Sequence, residues 1–292
     1  MQPLVSILIP VYNHSLYIEE CLNAITCLNY SNIEVLICDD GSKDDSYIIS
    51  ENWVKRNSHI KTKLFTQENQ GVCKTLNRLI RESSGEYITI CASDDVLATD
   101  GITQRIERIQ EDRSKLACIG DAYVIDEHSK VTAQSAMNKL YNASHDLLQT
   151  DIVRELVLRW SVVGPTLLIK RSAYNIIGFY DESLLVEDRD FYLRLLARNG
   201  LIYVNTTVAS YRVHANNSSR KSLAARLIVL RDIAISNVKY INQFGGVEKL
   251  FLQTHIVDLL IFNKFVPINS FLGTIFLLTF RVARKLLFRL WL

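Results

Sequence analysis

Residues 4–125 alternate short, almost fully apolar runs with segments of helical periodicity, and few folds accept that order. Strand-like runs cover Leu4–Pro10, Ile33–Cys38, Thr62–Thr66, Tyr87–Cys91 and Leu116–Ile125. Helical patterns cover Ser15–Leu28, Asp44–Lys55, Gly71–Glu82 and Gly101–Glu111. This βαβαβαβ order predicts an α/β fold with a mostly parallel central sheet covered by helices on both faces. The runs are nearly continuously apolar, as strands buried on two sides require. In such sheets ligands bind beyond the carboxyl ends of the strands. Tyr12-Asn13, Asp39-Asp40 and Asp94-Asp95 each follow a strand-like run, so they are predicted to share one rim.

Beyond residue 126 the periodicity weakens. Asp146–Trp160 reads as a helix and Pro165–Ile169 as a strand. Asp188–Arg198 reads as a helix whose apolar face carries Phe191, Leu195 and Leu196. Leu201–Val204 and Val208–Val213 read as two strands, and the pattern from Ser222 onward is helical, with a break at Phe265-Val266-Pro267. There is no internal repeat and no low-complexity linker.

A length of 292 residues allows one large α/β domain with an appendage, or two domains. With 48% hydrophobic and 22% charged residues the chain can bury a sizeable core. A net charge of +2 gives no reason to expect a nucleic-acid partner. The six cysteines (Cys21, Cys27, Cys38, Cys73, Cys91 and Cys118) form no C-x-x-C pair, and several sit inside apolar runs. They are expected to be small buried thiols in a reducing cytosol rather than disulfides or zinc ligands. The first strand-like run starts at Leu4, which leaves no room for a signal peptide or an N-terminal anchor. The sequons at Asn142, Asn205, Asn216 and Asn217 are therefore expected to be chance.

Three carboxylate clusters carry the functional reading: Asp39-Asp40, Asp94-Asp95 and Glu187-Asp188. The first two follow strands and the third opens a helix. Together they point to one pocket that holds a metal ion and a phosphorylated ligand and still has a base to spare. Singly, each has a plain alternative: Asp-Gly-Ser is ordinary turn chemistry, and an acidic residue at a helix start is common.

The motifs that surround these clusters resemble those of family 2 glycosyltransferases with the GT-A fold. They are Val5-Ser6-Ile7-Leu8-Ile9-Pro10-Val11-Tyr12-Asn13, Asp39-Asp40-Gly41-Ser42-Lys43-Asp44, Asn69-Gln70-Gly71 with Asn77, and Gly85-Glu86-Tyr87 with Ser93-Asp94-Asp95. Gly178-Phe179-Tyr180-Asp181-Glu182, Glu187-Asp188 and Tyr211-Arg212-Val213-His214 complete the series in the family's order, over roughly residues 4–220. The family's metal motif is Asp-x-Asp, often followed by another Asp, and here its first position is Ala92.

The resemblance implies that the Pro10–Asn13 segment and Asp39-Asp40 bind the nucleotide, with Asp40 reading the imide N–H of uracil and Tyr12 supporting the ring. It implies a divalent cation, Mn2+ or Mg2+, that bridges the diphosphate and stabilises the charge of the leaving group. Asp95 is expected to touch that metal, with Asp94 on the ribose or in support. Asp188 matches the general base of a single inverting displacement, and the positive end of its helix favours the ionised carboxylate. Glu187 is expected to orient it. His214 could add a metal ligand or a charge partner, and Arg212 could serve phosphate. Asn69 and Gly71 precede a helix in the donor region, with Gly71 expected to permit a close approach of the backbone. Lys74 could reach the base or a phosphate; a helix cap and a surface lysine explain the same residues. Asp190 and Arg194, spaced i, i+4, read as a structural ion pair. Trp160 could stack on an acceptor sugar or pack in the core.

The expected enzyme is a metal-dependent inverting hexosyl- or N-acetylhexosaminyltransferase acting in bacterial surface-polysaccharide assembly. It would move a sugar from a nucleotide donor, a UDP-sugar, to a glycan or lipid-linked acceptor. Residues 1–220 are expected to form the catalytic domain, with nucleotide-sugar binding in 1–125 and the acceptor side in 126–220. Residues 221–292 would form a helical extension. Within it, Phe271–Leu292 is too interrupted for a membrane span, but Arg281, Arg284, Lys285 and Arg289 accompany Leu286, Leu287, Leu290 and Trp291. A basic amphipathic helix at 270–292 could lie on an anionic membrane inner face, or pack on protein. Two other classes fit less well. A non-catalytic nucleotide- or glycan-binding module is favoured only by Ala92, and a nucleotidyltransferase would need a Gly-rich basic loop where Val11-Tyr12-Asn13-His14-Ser15 stands.

Overall fold

A computed structural model describes residues 2–292 except 186, 216, 218–222 and 266–269, and describes the backbone but not the side chains at 187, 223–225, 265 and 270. The first half follows the expected alternation closely. It runs β1 (Val5–Val11), α1 (Ile18–Thr26), β2 (Ile33–Asp39), α2 (Ser46–Arg56), β3 (Thr62–Thr66), α3 (Val72–Glu82), β4 (Tyr87–Ile90), β5 (Val96–Leu97), α4 (Gly101–Glu111) and β6 (Ala117–Ile125). Then come β7 (Val131–Ala133), α5 (Ala136–Tyr141), α6 (His145–Thr150), α7 (Ile152–Leu158), β8 (Leu168–Lys170), α8 (Ala173–Ile177), α9 (Glu187–Leu196) and β9 (Leu201–Arg212). Helices α10 (Leu223–Lys239), α11 (Gly246–Gln253), α12 (His255–Leu260) and α13 (Ser270–Phe288) close the chain.

The strands form one sheet in the order β3-β2-β1-β4-β8-β6-β9-β5, with β7 on β6. The β3-β2-β1-β4 half is parallel throughout. The second half is mixed: β8 runs antiparallel to both β4 and β6, and β5 antiparallel to β9, while β6 and β9 are parallel. The sheet is therefore less parallel than the sequence predicts: β8 enters between β4 and β6 and runs against both, because a connection made of several short helices, α5 to α7, can return the chain to the sheet from either end. The two strands expected at 201–213 are one twelve-residue strand, β9, whose pairing with β6 shifts register around Asp121. The single helix expected at 146–160 is split, since Asp151 ends α6 and its carboxylate caps α7 through the Arg154 N–H at 3.1 Å.

Strand β1 shows why the sheet is sandwiched. Val5, Ile7, Ile9 and Val11 pack with Ile18 and Leu22 of α1, Trp53 of α2 and Ile102 of α4. Leu8, on the other face, packs with Leu76 and Leu79 of α3. Both faces are covered, so the strand is apolar on both sides. Five of the six cysteines are buried free thiols as expected; Cys27, at the end of α1, is exposed.

The C-terminal helices pack on the preceding residues. Asn237 of α10 accepts the Arg189 Nε–H at 2.7 Å, and Lys239 and Tyr240 reach Asp190 at 3.1 and 2.9 Å. The boundary expected at 220/221, the sequon at Asn216 and the break at Val266-Pro267 lie outside the described residues.

Candidate active site

The strand order reverses between β1 and β4, and a crevice opens beyond the carboxyl ends of strands at such a point. The last β1–β4 pair is Leu8 with Ile90, so Pro10 lies where the two strands part. Its missing N–H therefore removes no bond from that ladder. The loop after β1 and the loop after β4 flank this opening, and the β2–α2 and β3–α3 loops continue the rim.

The loops after β1 and β2 are tied together. Asn13, in a left-handed conformation (φ 54°), accepts the Lys43 N–H at 2.7 Å, and its own N–H reaches Ser42 Oγ at 3.0 Å. Such local bonds are what let asparagine hold that backbone geometry. Tyr12 is left 46% exposed beside it. Asp39 uses Oδ1 to accept the N–H groups of Gly41 and Ser42 at 3.1 and 3.0 Å. Its Oδ2 is buried and has no hydrogen-bond partner among the described residues.

Asp40 has a different task. It accepts Gln67 Nε2–H at 2.7 Å and the N–H groups of Gln70 and Gly71, both at 2.9 Å, and so holds the β3–α3 turn. The unengaged acceptor belongs to Asp39, not to Asp40 as the motif resemblance implied. A Cβ on Gly41 (φ 75°) would meet the Asn69 N at 2.9 Å, so the two loops touch there. Around Gly71, in contrast, an added Cβ would meet nothing within 4 Å; its φ of 87° is what requires glycine, not a close approach. Asn69 and Lys74 are exposed on this part of the rim.

The loop after β4 brings the second carboxylate pair against residues from both ends of the chain. Asp94 Oδ2 lies 3.0 Å from His214 Nε2, and Asp94 Oδ1 lies 3.7 Å from His14 Nδ1. One donor atom from each of His14, Asp94 and His214 falls within 4.8 Å of the other two, a set that fits a divalent cation. Asp95 turns away from it and accepts the Arg212 N–H at 2.9 Å. Burial, and then the neighbouring Asp94 charge, raise the Asp95 pKa well above the usual carboxylate range. The metal-binding role expected of Asp95 thus fits Asp94 better, because Asp95 is engaged with the β9 backbone. Burial also lowers the His14 pKa, against the pull of Asp94, which keeps the imidazole neutral and able to donate a lone pair.

Arg212 is not available to phosphate, contrary to expectation. It is fully buried. Nε donates to the Asp94 carbonyl at 2.8 Å, NH1 to the Asp126 carbonyl at 3.0 Å and to Ser129 Oγ at 2.9 Å, and NH2 to Glu20 at 2.7 Å. The guanidinium also lies 4.9 Å from the Tyr17 ring centroid. It is a clamp that fixes the Asp94-Asp95 loop to α1 and β9.

The third cluster divides its labour in the same way. Arg189 is buried, donates to Asn237 and to the carbonyls of Leu156 and Val157, and stacks on Trp160 at 4.8 Å. Asp190 pairs with Arg194 at 2.7 Å, as the spacing predicts. Asp188 is left half-buried, with Oδ1 accepting the Arg189 N–H at 2.6 Å. Burial raises its pKa, against the opposing pull of that N–H and of the Arg189 charge. The side chain of Glu187 lies outside the described residues.

The approach to α9 is fixed to the rim. Cys73 Sγ, two residues beyond Gly71, meets the Leu184 carbonyl at 3.2 Å, and Asn77 bonds Tyr180 in both directions, each at 2.9 Å. Trp160 holds a left-handed backbone (φ 61°), an uncommon state for a bulky residue, and packs edge-on to Tyr192. Four residues later, Gly164 faces Asp95 Oδ2.

Sequence reasoning missed His14. Its signal was its place directly after Tyr12-Asn13, on the rim already singled out. It also missed Glu20, the carboxylate that neutralises Arg212.

Comparison with known proteins agrees with this geometry. The chain is 27% identical over 274 residues to the glycosyltransferase GlyG of Streptococcus pneumoniae, covering 89% of this chain and 87% of that protein. Among solved structures it superposes on the mannosyltransferase PcManGT from Pyrobaculum calidifontis in complex with GDP-Man and Mn2+, with a TM-score of 0.67, 16% identity, and coverage of 100% of this chain and 88% of the other. It also superposes on TarS residues 1–349 of S. aureus in complex with UDP-GlcNAc, with a TM-score of 0.65, 19% identity, and coverage of 87% and 71%. At these identities the two structures speak for the fold, a GT-A-like mixed sheet flanked by helices. The sequence profile of glycosyl transferase family 2 matches residues 6–176, more than half of the chain, which therefore belongs to that family and is a glycosyltransferase.

Proposed function

We propose that the enzyme transfers a sugar from a UDP-sugar to a hydroxyl of a glycan or lipid-linked saccharide, with inversion, in the assembly of a bacterial surface polysaccharide. The observation that carries the choice of donor is Asp39 Oδ2, a buried acceptor with no partner among the described residues. Leaving such an atom unpaired costs about 1–3 kcal/mol, which a ligand N–H would recover. Uracil presents a single imide N–H and so matches a single unengaged oxygen. Guanine presents two adjacent donors, and the second Asp39 oxygen is already taken by Gly41 and Ser42. Tyr12, exposed beside the opening, can cover the base. TarS, whose structure holds UDP-GlcNAc, supports the same donor class.

The diphosphate would lie over the β1–β4 opening. A divalent cation held there by Asp94 and His214 would offset the negative charge that builds on the diphosphate; PcManGT, with Mn2+, supports this. Arg212 contributes by fixing the loop that carries Asp94. At the start of α9, Asp188 accepts the proton of the acceptor hydroxyl as its oxygen bonds to the sugar C1. The C1–O bond to the diphosphate breaks, and its electron pair leaves with the nucleotide. A raised Asp188 pKa strengthens this base, and its burial keeps the carboxylate poorly solvated until the acceptor arrives. Attack from the face opposite the leaving group gives inversion in one step. Trp160, beside Arg189, offers an aromatic face to an acceptor sugar.

Residues 1–220 form the catalytic unit in this reading, and α10 to α13 brace it. No helix among the described residues is long and apolar enough to cross a membrane. Helix α13 instead buries Leu277 and Phe288 and leaves Ile275, Val282, Leu286 and Leu287 exposed, with Leu290 and Trp291 just beyond its end. The expected basic face is only half outward: Arg284 pairs with buried Asp258 at 2.8 Å and Arg281 leans on the same carboxylate at 3.8 Å. Lys285 and Arg289 remain exposed beside the apolar side chains and suit the surface of an anionic bilayer. That placement brings a lipid-linked acceptor to a cytoplasmic, membrane-peripheral enzyme.

The first test is thermal stabilisation by UDP, GDP, CDP and dTDP, each with and without Mn2+. Preferential stabilisation by UDP that requires Mn2+ is the expected result, and a larger shift with GDP would overturn the donor assignment. A ligand at about a hundred times its dissociation constant adds roughly 2.7 kcal/mol, enough for a clear melting shift.

A further inference from the structure

We infer that His14 is itself a metal ligand, and that it makes the cation site one of two imidazoles and one carboxylate, selective for a transition ion over Mg2+. This rests on the cation reading given above and narrows it from any divalent ion to one class.

The geometry leads there. In an octahedral site, donors held about 2.1 Å from the ion sit about 3.0 Å apart when adjacent and about 4.2 Å apart when opposite. The His214–Asp94 and His14–Asp94 separations, 3.0 Å to Oδ2 and 3.7 Å to Oδ1, fall inside that range; one donor atom from each residue lies within 4.8 Å of the others, so a small side-chain adjustment would close the set on one ion. Asp94 offers a different oxygen to each imidazole, so the two rings flank one carboxylate. The rings stand nearly perpendicular, at 87° with centroids 5.9 Å apart, and so do not stack on each other.

His14 is also fixed in place as a ligand should be. Its backbone N–H donates to Ser46 Oγ at 2.9 Å; its Nδ1, the atom that faces Asp94, lies 2.7 Å from Ser93 Oγ, a contact that an ion on Nδ1 would displace. The backbone on the other side is held too, with the His214 N–H on Asn217 Oδ1 at 2.5 Å. The three donors come from the β1–α1 loop, the β4–β5 loop and the segment after β9, so only the folded chain assembles them.

The donor set then decides the ion. Mg2+ demands oxygen ligands and sheds water reluctantly. Imidazole nitrogen favours first-row transition ions, with affinity rising from Mn2+ through Co2+ to Ni2+. A site with one carboxylate and one imidazole would discriminate weakly, and the second imidazole sharpens the choice.

The experiment uses the full chain and metal alone. Free Mn2+ is followed by its electron paramagnetic resonance signal, Mg2+ is added as competitor, and pulsed resonance counts the nitrogens coupled to bound Mn2+. The wild type should show two coupled nitrogens and keep Mn2+ against a large excess of Mg2+. His14→Ala should show one nitrogen and an Mn2+ affinity lowered about tenfold or more, with the Mg2+ affinity changed far less. His14→Gln, which keeps side-chain bulk without the imidazole, should behave the same way, and metal-free melting curves show that both variants are folded. Unchanged Mn2+ affinity and nitrogen count in both variants, with binding lost in Asp94→Asn, would remove His14 from the site and leave the cation reading standing. Absence of Mn2+ binding to the wild type, alone and with UDP, would overturn both.

Discussion

Arg212 tests the structural account most sharply, because a phosphate-binding arginine and a buried clamp respond to mutation in opposite ways. Arg212→Ala removes four side-chain hydrogen bonds, to the Asp94 and Asp126 carbonyls, the Ser129 hydroxyl and the Glu20 carboxylate. Hydrogen bonds to a charged group contribute about 1.5–3 kcal/mol each, and removing one partner of a buried ion pair costs about 3–5 kcal/mol. The Glu20 carboxylate is 43% exposed, so water can solvate it once Arg212 is gone. That relief, and the sharing of one guanidinium among neighbouring bonds, set the net loss at about 3–5 kcal/mol rather than the sum. Arg212→Lys keeps the charge but has one nitrogen to serve partners on three segments, so it should lose about half as much. Urea unfolding without ligand measures both. Nucleotide affinity should fall only as far as the Asp94 loop is disturbed, and less in Arg212→Lys than in Arg212→Ala. Native stability in both variants, combined with a large loss of UDP affinity, would refute the clamp and restore a phosphate role.

Four further outcomes follow from the same geometry. Asp188→Asn should reduce transfer by at least about 100-fold while leaving UDP binding within about twofold, measured by turnover and by calorimetry. Because burial raises the Asp188 pKa, the ionised form costs folding stability that appears as pH rises through that pKa; Asp188→Asn should therefore melt higher than wild type at pH 7, and an unchanged or lower melting point counts against the burial argument. Glu34 behaves with the opposite sign. Burial would raise its pKa, but Lys61, Ser6 and Ser84 outweigh that and bring it from 4.5 to about 2. Its contribution of about 2–3 kcal/mol should be present above pH 4.5 and lost as pH falls toward 2, so acid unfolding of Glu34→Gln should be flatter than wild type in that window. At α13, Leu286→Glu with Leu290→Glu should abolish co-sedimentation with anionic phosphatidylglycerol vesicles without changing transfer to a soluble acceptor, and a wild type that ignores such vesicles would refute the membrane face.

The parallel half of the fold and the ligand rim were legible in the chain itself. Apolar runs such as Ile7–Pro10 and Val35–Cys38, too short for helices, suit strands covered on two faces, and the single helical segments between them favour parallel pairing. That places Asp39-Asp40 and Asp94-Asp95 after strand ends before any coordinate is known. The pairing of Asp190 with Arg194 was equally local, since a helix brings i and i+4 together by its period.

Tertiary structure decided the assignment of roles within each pair. Adjacent residues such as Asp39 and Asp40, or Asp94 and Asp95, point to different surroundings, and sequence does not say which neighbours those are. Asp40 is consumed by the turn at Gln70-Gly71 and Asp95 by the backbone of Arg212, while Asp39 Oδ2 has no partner among the described residues and Asp94 lies between His14 and His214, which is why the proposed roles fall to them. The meeting of His14, Asp94 and His214, two hundred residues apart at its extremes, arises only when β1, β4 and β9 lie in one sheet. Arg212 was misjudged for the same reason: a guanidinium can serve phosphate or carbonyl oxygens equally well, and burial alone chose between them. Period and apolar pattern belong to the chain, whereas the partner of a polar side chain belongs to the packed fold.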